Sequence, residues 1–181
     1  ECRLISGEYE IMFTSGEIES ACHFITMSAR GYIAKTRKVP HIIISNIDHP
    51  MVIQCCEYLV EDKLCSLTIL NAANTGEEFG TITPRAVANA IRVNTCAVSI
   101  PCIDIRSGIK NSIDEIYAIV NKASIPLHTD ATALFCQSAV RVQSDAFSAN
   151  FQSMGGPTGI GILVIKRSLI AGYGMRPLIN G

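Results

Sequence analysis

The sequence predicts an α/β fold in which helices cover both faces of a mostly parallel, seven-stranded sheet, forming a three-layer sandwich. Short β-branched apolar runs alternate along the chain with amphipathic segments of helical period. The run Ile42-Ile43-Ile44 also lacks the polar alternation of a half-exposed strand. Alternating strands and helices favour right-handed crossovers and parallel pairing. The length of 181 residues predicts one domain, spanning 1–181.

Seven segments have the length and composition of strands. They are residues 11–14, 41–45, 66–70, 95–100, 124–128, 145–148 and 160–165. Residues 149–159 separate the last two strands without a helical pattern. Because so short a connection cannot return a strand in parallel, we expect the seventh strand to be antiparallel to the others.

Four segments carry apolar residues three and four positions apart, as helices do. They are residues 17–37, 50–62, 84–92 and 112–122. Pro50 and Pro84 open the second and third of these segments, where the fixed φ of proline suits the first helical turn. The polar residues of 71–83 predict a surface loop before the third helix.

Composition excludes several classes of protein. Apolar residues make up 48% of the chain and charged residues 17%, which excludes a disordered chain. Fifteen basic residues oppose sixteen acidic ones without a basic cluster, so we expect no nucleic-acid partner. No apolar run approaches the roughly 18 residues of a membrane span. We therefore expect a soluble, cytoplasmic protein.

Eight cysteines are spread along the chain without regular spacing. The closest pairs, Cys55-Cys56 and Cys96 with Cys102, do not form the C-x-x-C unit typical of zinc sites, so we expect no metal. Reduced thiols that act mostly as small buried apolar groups are the favoured interpretation.

Polar residues follow five of the predicted strands. Since parallel sheets bind ligands beyond the carboxyl ends of their strands, these segments form the candidate site. They are Ser15-Gly16-Glu17, Asn46-Ile47-Asp48-His49, Pro101-Cys102-Ile103-Asp104, Thr129-Asp130 and Ala149-Asn150.

Taken in chain order, four stretches resemble the large domain of cysteine desulfurases of the NifS and IscS type, which are pyridoxal phosphate enzymes of aminotransferase class V. Residues 11–20 resemble the family's strand followed by S-G-G-T-E-S, and 41–50 resemble H-I-I-x-S-x-x-E-H-P. Residues 128–131 read H-T-D-A, and 147–161 are similar to F-S-A-H-K-x-x-G-P-x-G-x-G with a longer loop. The chain also resembles divergent NifS-like proteins of large DNA viruses.

The resemblance implies the large-domain fold of pyridoxal phosphate-dependent transferases, whose last strand is antiparallel. It implies that Asp130 pairs with the pyridinium nitrogen of the cofactor and that His49 stacks on the ring and assists proton transfer. Ser148 would contact the phosphate through its hydroxyl, and Ser15 and Gly16 would present backbone N–H groups to it. Without a cofactor, Asp130 would cap a turn and His49 would simply begin a helix.

Several positions depart from the family's pattern. Phe151 stands where the family has the lysine that binds the cofactor covalently, and Asn150 stands at the preceding histidine, among the cofactor-contacting positions. Residues 149–159 contain no lysine. Glu17 and Ile18 replace a glycine and a threonine, which removes a hydroxyl and adds a negative charge beside the phosphate position.

Three functions remain open at this point. The first is a NifS-like protein, expected to be homodimeric, whose catalysis is impaired by Phe151. The second is an active cysteine desulfurase that takes its lysine from another subunit or from further sequence. The third is an interaction scaffold without cofactor. We expect the family's smaller C-terminal domain, which carries the reactive cysteine loop, to be absent from these 181 residues.

Overall fold

The computed structural model describes residues 7–135 and 142–175, and it contains a seven-stranded sheet. The strands are β1 (Tyr9–Thr14), β2 (His41–Ser45), β3 (Ser66–Leu70), β4 (Thr95–Ser99), β5 (Leu127–Asp130), β6 (Ala146–Asn150) and β7 (Gly161–Lys166). Their spatial order is β1-β7-β6-β5-β4-β2-β3. β7 is antiparallel to both of its neighbours, and the other pairs are parallel. The predicted antiparallel seventh strand is therefore confirmed.

The four predicted helices are present, together with short elements that were not predicted. The helices are α1 (Glu17–Thr36), α2 (Pro50–Glu61), α3 (Pro84–Ala90), α4 (Ile113–Lys122), α5 (Thr132–Phe135) and α6 (Arg167–Tyr173), and Gln152–Met154 form a 3-10 turn. The 3-10 turn and α5, with three and four residues, are too short to show a helical period in sequence. Within the described ranges, no helix is both long and apolar enough to cross a membrane.

The fifth strand begins later than predicted. Residue 124 was expected to open it, but Ser124 has φ of 55° and belongs to the turn that ends α4. β5 instead begins at Leu127 and extends to Asp130, which is its last residue rather than the residue after it. This shift places the Asp130 side chain at the carboxyl edge of the sheet.

Helices cover both faces of the sheet, so the three-layer prediction is confirmed. Ile42 and Ile44 pack in the core shared with α1, α2 and α6. Ile43 points to the opposite core, which is shared with α3, α4 and α5. All three isoleucines are fully buried, as the uninterrupted apolar run predicted.

A glycine lets three elements meet where the candidate site forms. Gly161, the first residue of β7, lies opposite Thr14 of β1 on one side and Asn150 of β6 on the other. A Cβ atom at residue 161 would lie 2.5 Å from the Cα of Gly16. The missing side chain therefore allows the start of α1 to approach the end of β6.

Candidate cofactor site

A cleft of about 250 Å³ opens at the carboxyl ends of the parallel strands, where the sequence predicted a site. His49 and Asp130, both predicted site residues, line it together. The other lining residues come from the start of α1, the β2–α2 connection, the segment after β4, and the β5–α5 connection. Ser15, Gly16 and Asn150 lie beside the cleft at the β1–α1 turn and the end of β6.

Asp130 caps the turn that follows β5 and also lies at the cleft. One carboxylate oxygen, Oδ1, accepts a hydrogen bond of 2.9 Å from the backbone N–H of Thr132, so the side chain does cap the turn. The same side chain still borders the cleft. Burial raises the pKa of Asp130 and the nearby Glu17 carboxylate adds to this, while hydrogen bonding from Thr132 opposes it. A cationic group in the cleft would stabilise the ionised form.

Asp48 is another carboxyl group of the cleft; it lies in a predicted site segment, but no role was predicted for it. It accepts hydrogen bonds from the backbone N–H of Ser45 at 2.8 Å and from the Ser45 hydroxyl at 2.5 Å. Burial raises the pKa of Asp48 to about 7, although these hydrogen bonds favour the ionised form. Its position after β2 was a usable signal, but its burial depends on how α2 folds back over the strand.

His49 begins α2 and also borders the cleft. Its Nδ1 accepts a hydrogen bond of 3.2 Å from the backbone N–H of Met51, which caps the helix. The side chain is exposed, so the imidazole is accessible to a ligand in the cleft.

The β1–α1 turn is closed by its own hydrogen bonds. The backbone N–H and the hydroxyl of Ser15 both donate to Oε2 of Glu19, each at 2.6 Å. Gly16 follows as the N-cap residue of α1, in an extended conformation with φ of 172°. The two donors of Ser15 are thus already engaged.

The end of β6 contacts the start of α1 through side chains. Asn150 donates from Nδ2 to Oε2 of Glu17 at 2.7 Å and accepts from the backbone N–H of Ser153 at 2.8 Å. Ser148, two residues earlier on the same face of the strand, is fully buried. Its hydroxyl has no hydrogen-bond partner within the described ranges.

Phe151 directly follows β6, and its backbone is held by the loop that leads to β7. Its N–H donates to the carbonyl of Ile160 at 2.9 Å, and its carbonyl accepts from Gly156 at 2.8 Å. None of the described residues lining the cleft is a lysine. Lys166 lies at the far end of β7, where its Nζ donates to Asp145 at 2.8 Å.

These residues fit one part of pyridoxal phosphate and not the rest. When bound, that cofactor supplies an electron sink through its protonated ring. Asp130 and His49 suit the ring, and the unpartnered Ser148 hydroxyl suits an anion. Phe151 cannot bind the cofactor covalently, and the Glu17 carboxylate stands at the start of α1, where the resemblance implies that the phosphate would bind. The covalently held, phosphorylated cofactor therefore does not fit this chain.

The six cysteines described are free thiols and none lines the cleft. Four of them are buried, as predicted, whereas Cys22 and Cys55 are half-buried. Hydrogen bonds from Cys22 and Thr26 lower the pKa of Cys55 to about 7. Cys2 and Cys136 lie outside the described residues. Among residues 7–135 and 142–175, no cluster of His, Cys, Asp and Glu could hold a metal ion.

The seven-stranded sheet, covered by helices on both faces and with a cleft at the carboxyl ends of its parallel strands, has the fold of pyridoxal phosphate-dependent transferases. The sequence profile of aminotransferase class V matches residues 3–181, and the chain belongs to this family. Within it, the chain is 32% identical over 175 residues to a NifS-like protein of African swine fever virus (isolate Warthog/Namibia/Wart80/1980). That match covers 97% of this chain and 43% of the viral protein.

A cysteine desulfurase and two solved structures are also similar to this chain. The mitochondrial cysteine desulfurase of Saccharomyces cerevisiae is 30% identical over 175 residues, covering 95% of this chain and 33% of the yeast protein. The solved structure of SspA in complex with cysteine superposes with a TM-score of 0.81 at 30% identity, covering 94% of this chain and 47% of SspA. The structure of DndA from Streptomyces lividans superposes with a TM-score of 0.81 at 25% identity, covering 95% of this chain and 48% of DndA. The chain thus spans less than half the length of these relatives.

Proposed function

We propose that this chain is the cofactor-domain portion of a NifS-like protein that does not desulfurate cysteine through a lysine-held cofactor. The observation that carries this proposal is Phe151, which directly follows β6 at the position of the family's lysine. Desulfuration of that type needs an amine to bind the cofactor and to exchange it with the substrate amine. A phenyl ring has no atom that can do so.

No other described side chain replaces that amine. Lys166 forms an ion pair with Asp145 and also donates to the Tyr117 hydroxyl at 2.9 Å, at the opposite end of β7. The lining of the cleft offers carboxyl groups, an imidazole and the Arg106 guanidinium instead. The carboxyl groups and the imidazole can hold a cationic heteroaromatic ring without a covalent bond.

We further infer a homodimer in the cytoplasm. The six free cysteines support a reducing compartment. The exposed apolar side chains of β1, Ile11 and Phe13, support association with another chain. Cysteine as a substrate belongs to the alternative in which another subunit or further sequence completes the enzyme.

Borohydride trapping tests the proposal. The protein is incubated with pyridoxal 5'-phosphate, reduced with borohydride and mapped by peptide mass spectrometry. We expect no stoichiometric adduct on a single lysine, and no sulfide or alanine released from cysteine. An absorbance band of a lysine-bound cofactor that is trapped on one residue would contradict the proposal.

A lysine introduced at residue 151 tests whether this position can supply the missing amine. In Phe151→Lys the new amine follows β6 directly, so we expect a reduced adduct at residue 151. Gln152→Lys places the same amine one residue later, on an exposed position of the 3-10 turn, and serves as the matched control. Equal labelling of the two variants would show that position 151 has no special access to the cleft.

A further inference from the structure

We infer that Glu17, held by Asn150, makes the cleft select a ligand that carries a cationic ring nitrogen and no phosphate group. This inference rests on the cleft of the proposed function. It concerns which ligand binds without a covalent bond to the protein, rather than whether such a bond can form.

Glu17 occupies the place where an anion would meet α1. It is the first residue of the helix, it lines the cleft, and its Oε2 lies 2.7 Å from Nδ2 of Asn150 at the end of β6. The hydrogen bond joins residues 133 positions apart in sequence, so it fixes the carboxylate between two elements. Because helix N-termini favour negative charge, this carboxylate supplies internally the charge that a bound phosphate would otherwise provide.

Few side-chain donors are available where α1 begins. The N–H and hydroxyl of Ser15 are both bonded to Glu19, and the Ile18 side chain has no polar atom, so the backbone N–H groups of the first turn are the donors that remain. The buried Ser148 hydroxyl is unpartnered within the described part of the chain, but one neutral hydroxyl cannot offset a dianion placed beside Glu17.

The carboxyl groups of the cleft favour a cation. Asp48 and Asp130 line it together with Glu17, and a cation beside them would stabilise their ionised forms. The Arg106 guanidinium is paired with Asp104, its Nε lying 3.2 Å from Oδ1, so its charge is already partly neutralised. A small heteroaromatic ring with a protonated nitrogen therefore matches the cleft better than the same ring with a phosphate.

Pyridoxine and pyridoxine 5'-phosphate are the appropriate probes. The two compounds share the ring and differ only in the phosphate. Both carry an alcohol where pyridoxal has an aldehyde, so neither can react with surface lysines. Isothermal titration of the protein with each compound gives the two dissociation constants. We expect pyridoxine to bind at least as tightly as pyridoxine 5'-phosphate.

Glu17→Gln keeps the hydrogen bond to Asn150 possible and removes the charge. We expect pyridoxine 5'-phosphate to bind about tenfold more tightly to this variant, and pyridoxine to change by less than about threefold. Glu57→Gln, on the exposed side of α2, removes one charge away from the cleft and is expected to alter neither constant.

Three results would overturn the inference: a wild-type preference of tenfold or more for the phosphorylated compound, no binding of either compound, or equal effects of Glu17→Gln and Glu57→Gln. Because the probes cannot form a covalent bond, these results are independent of Phe151. A lysine adduct in the trapping experiment would refute the proposed function and leave the measured phosphate preference as it stands.

Discussion

A buried carboxyl group, Asp48, and a half-buried one, Asp130, line one small cleft, and their surroundings differ. Asp48 is held by two hydrogen bonds from Ser45, yet burial raises its pKa to about 7. Asp130 receives one backbone hydrogen bond and lies where a ligand can reach it. Near neutral pH Asp48 is therefore partly protonated, and it can gain or lose a proton when the charge in the cleft changes.

The titration of Asp48 predicts a measurable effect on stability. Its folded-state pKa of about 7 lies above the ordinary 3.8, so its contribution to stability is complete below about pH 4 and is lost as pH rises through 7. Asp48→Asn abolishes this loss. We expect the free energy of unfolding of the variant, relative to wild type, to rise by up to about 4 kcal/mol between pH 4 and pH 8.

Urea denaturation between pH 4 and pH 8 measures the difference in the free energy of unfolding between Asp48→Asn and wild type. Asp62→Asn, at the exposed C-cap of α2, is the matched control and should show no such trend. If the free energies of unfolding of Asp48→Asn and wild type differ by the same amount at every pH from 4 to 8, the buried carboxyl does not titrate as described.

At the residue scale, the sequence predicts side chains that stand in recognisable motifs. Asp130 and His49 share the cleft, as the motif order implied, although their roles toward a cofactor stay predictions. The contact between Glu17 and Asn150 could not be predicted, because it depends on how closely α1 approaches β6 in three dimensions. The burial of Asp48 escaped prediction for the same reason.

At the scale of elements, the approach of β7 to the β1–α1 turn depends on one glycine. In Gly161→Ala the added methyl group would meet the backbone of Gly16 at 2.5 Å, so β7 or α1 must move. We expect a loss of about 1–3 kcal/mol in the free energy of unfolding. The shift would also lengthen the contact between Glu17 and Asn150, since Gly161 pairs with Asn150.

Gly172→Ala provides the comparison, since no atom lies within 4 Å of a Cβ built at that residue of α6. We expect this variant to be unchanged or more stable by up to about 1 kcal/mol, because alanine favours helix more than glycine does. Thermal denaturation of the two variants distinguishes a steric effect from a general effect of adding a methyl group. Equal midpoints would contradict the steric explanation.

Element boundaries show where sequence prediction stops being reliable. Long periodic segments such as α1 and α2 match their predicted ranges within one residue. β5 was displaced because the left-handed turn at Ser124 gives no clear sequence signal when the residue is not glycine. α5 and α6 are set by tertiary packing rather than by an amphipathic repeat of their own.

At the scale of the whole molecule, β1 forms one edge of the sheet and carries exposed apolar side chains. Ile11 is 46% exposed and Phe13 is 74% exposed. Within the described residues, β1 pairs with β7 alone, so its outer backbone groups are available to another strand. An apolar edge strand of this kind favours association between chains.

We therefore expect the protein to associate as its concentration rises, and Phe13→Lys to reduce that association. Size-exclusion chromatography with light scattering gives the mass of the species present. Val93→Lys, at a still more exposed apolar residue in the turn before β4, tests whether any added lysine has this effect. A monomeric wild type at every concentration, or equal effects of both substitutions, would argue against the edge as the contact.

The class of fold was predictable because alternating strands and helices with a fully apolar strand permit few architectures. The spatial order of the strands was not, since β7 inserts between β6 and β1, and nothing in its local sequence specifies those neighbours. The antiparallel direction of β7 did follow from the short connection after β6.

The pairing of β1 with β7 also sets an order for folding. Tyr9 lies opposite Lys166, so β1 has no described partner until residues 161–166 have been synthesised. The parallel strands β2 to β6 can pair with one another earlier, whereas β1 stays unpaired until β7 has formed. A ribosome-bound chain that ends before residue 161 would leave β1 without its β7 partner and β6 without one of its neighbours.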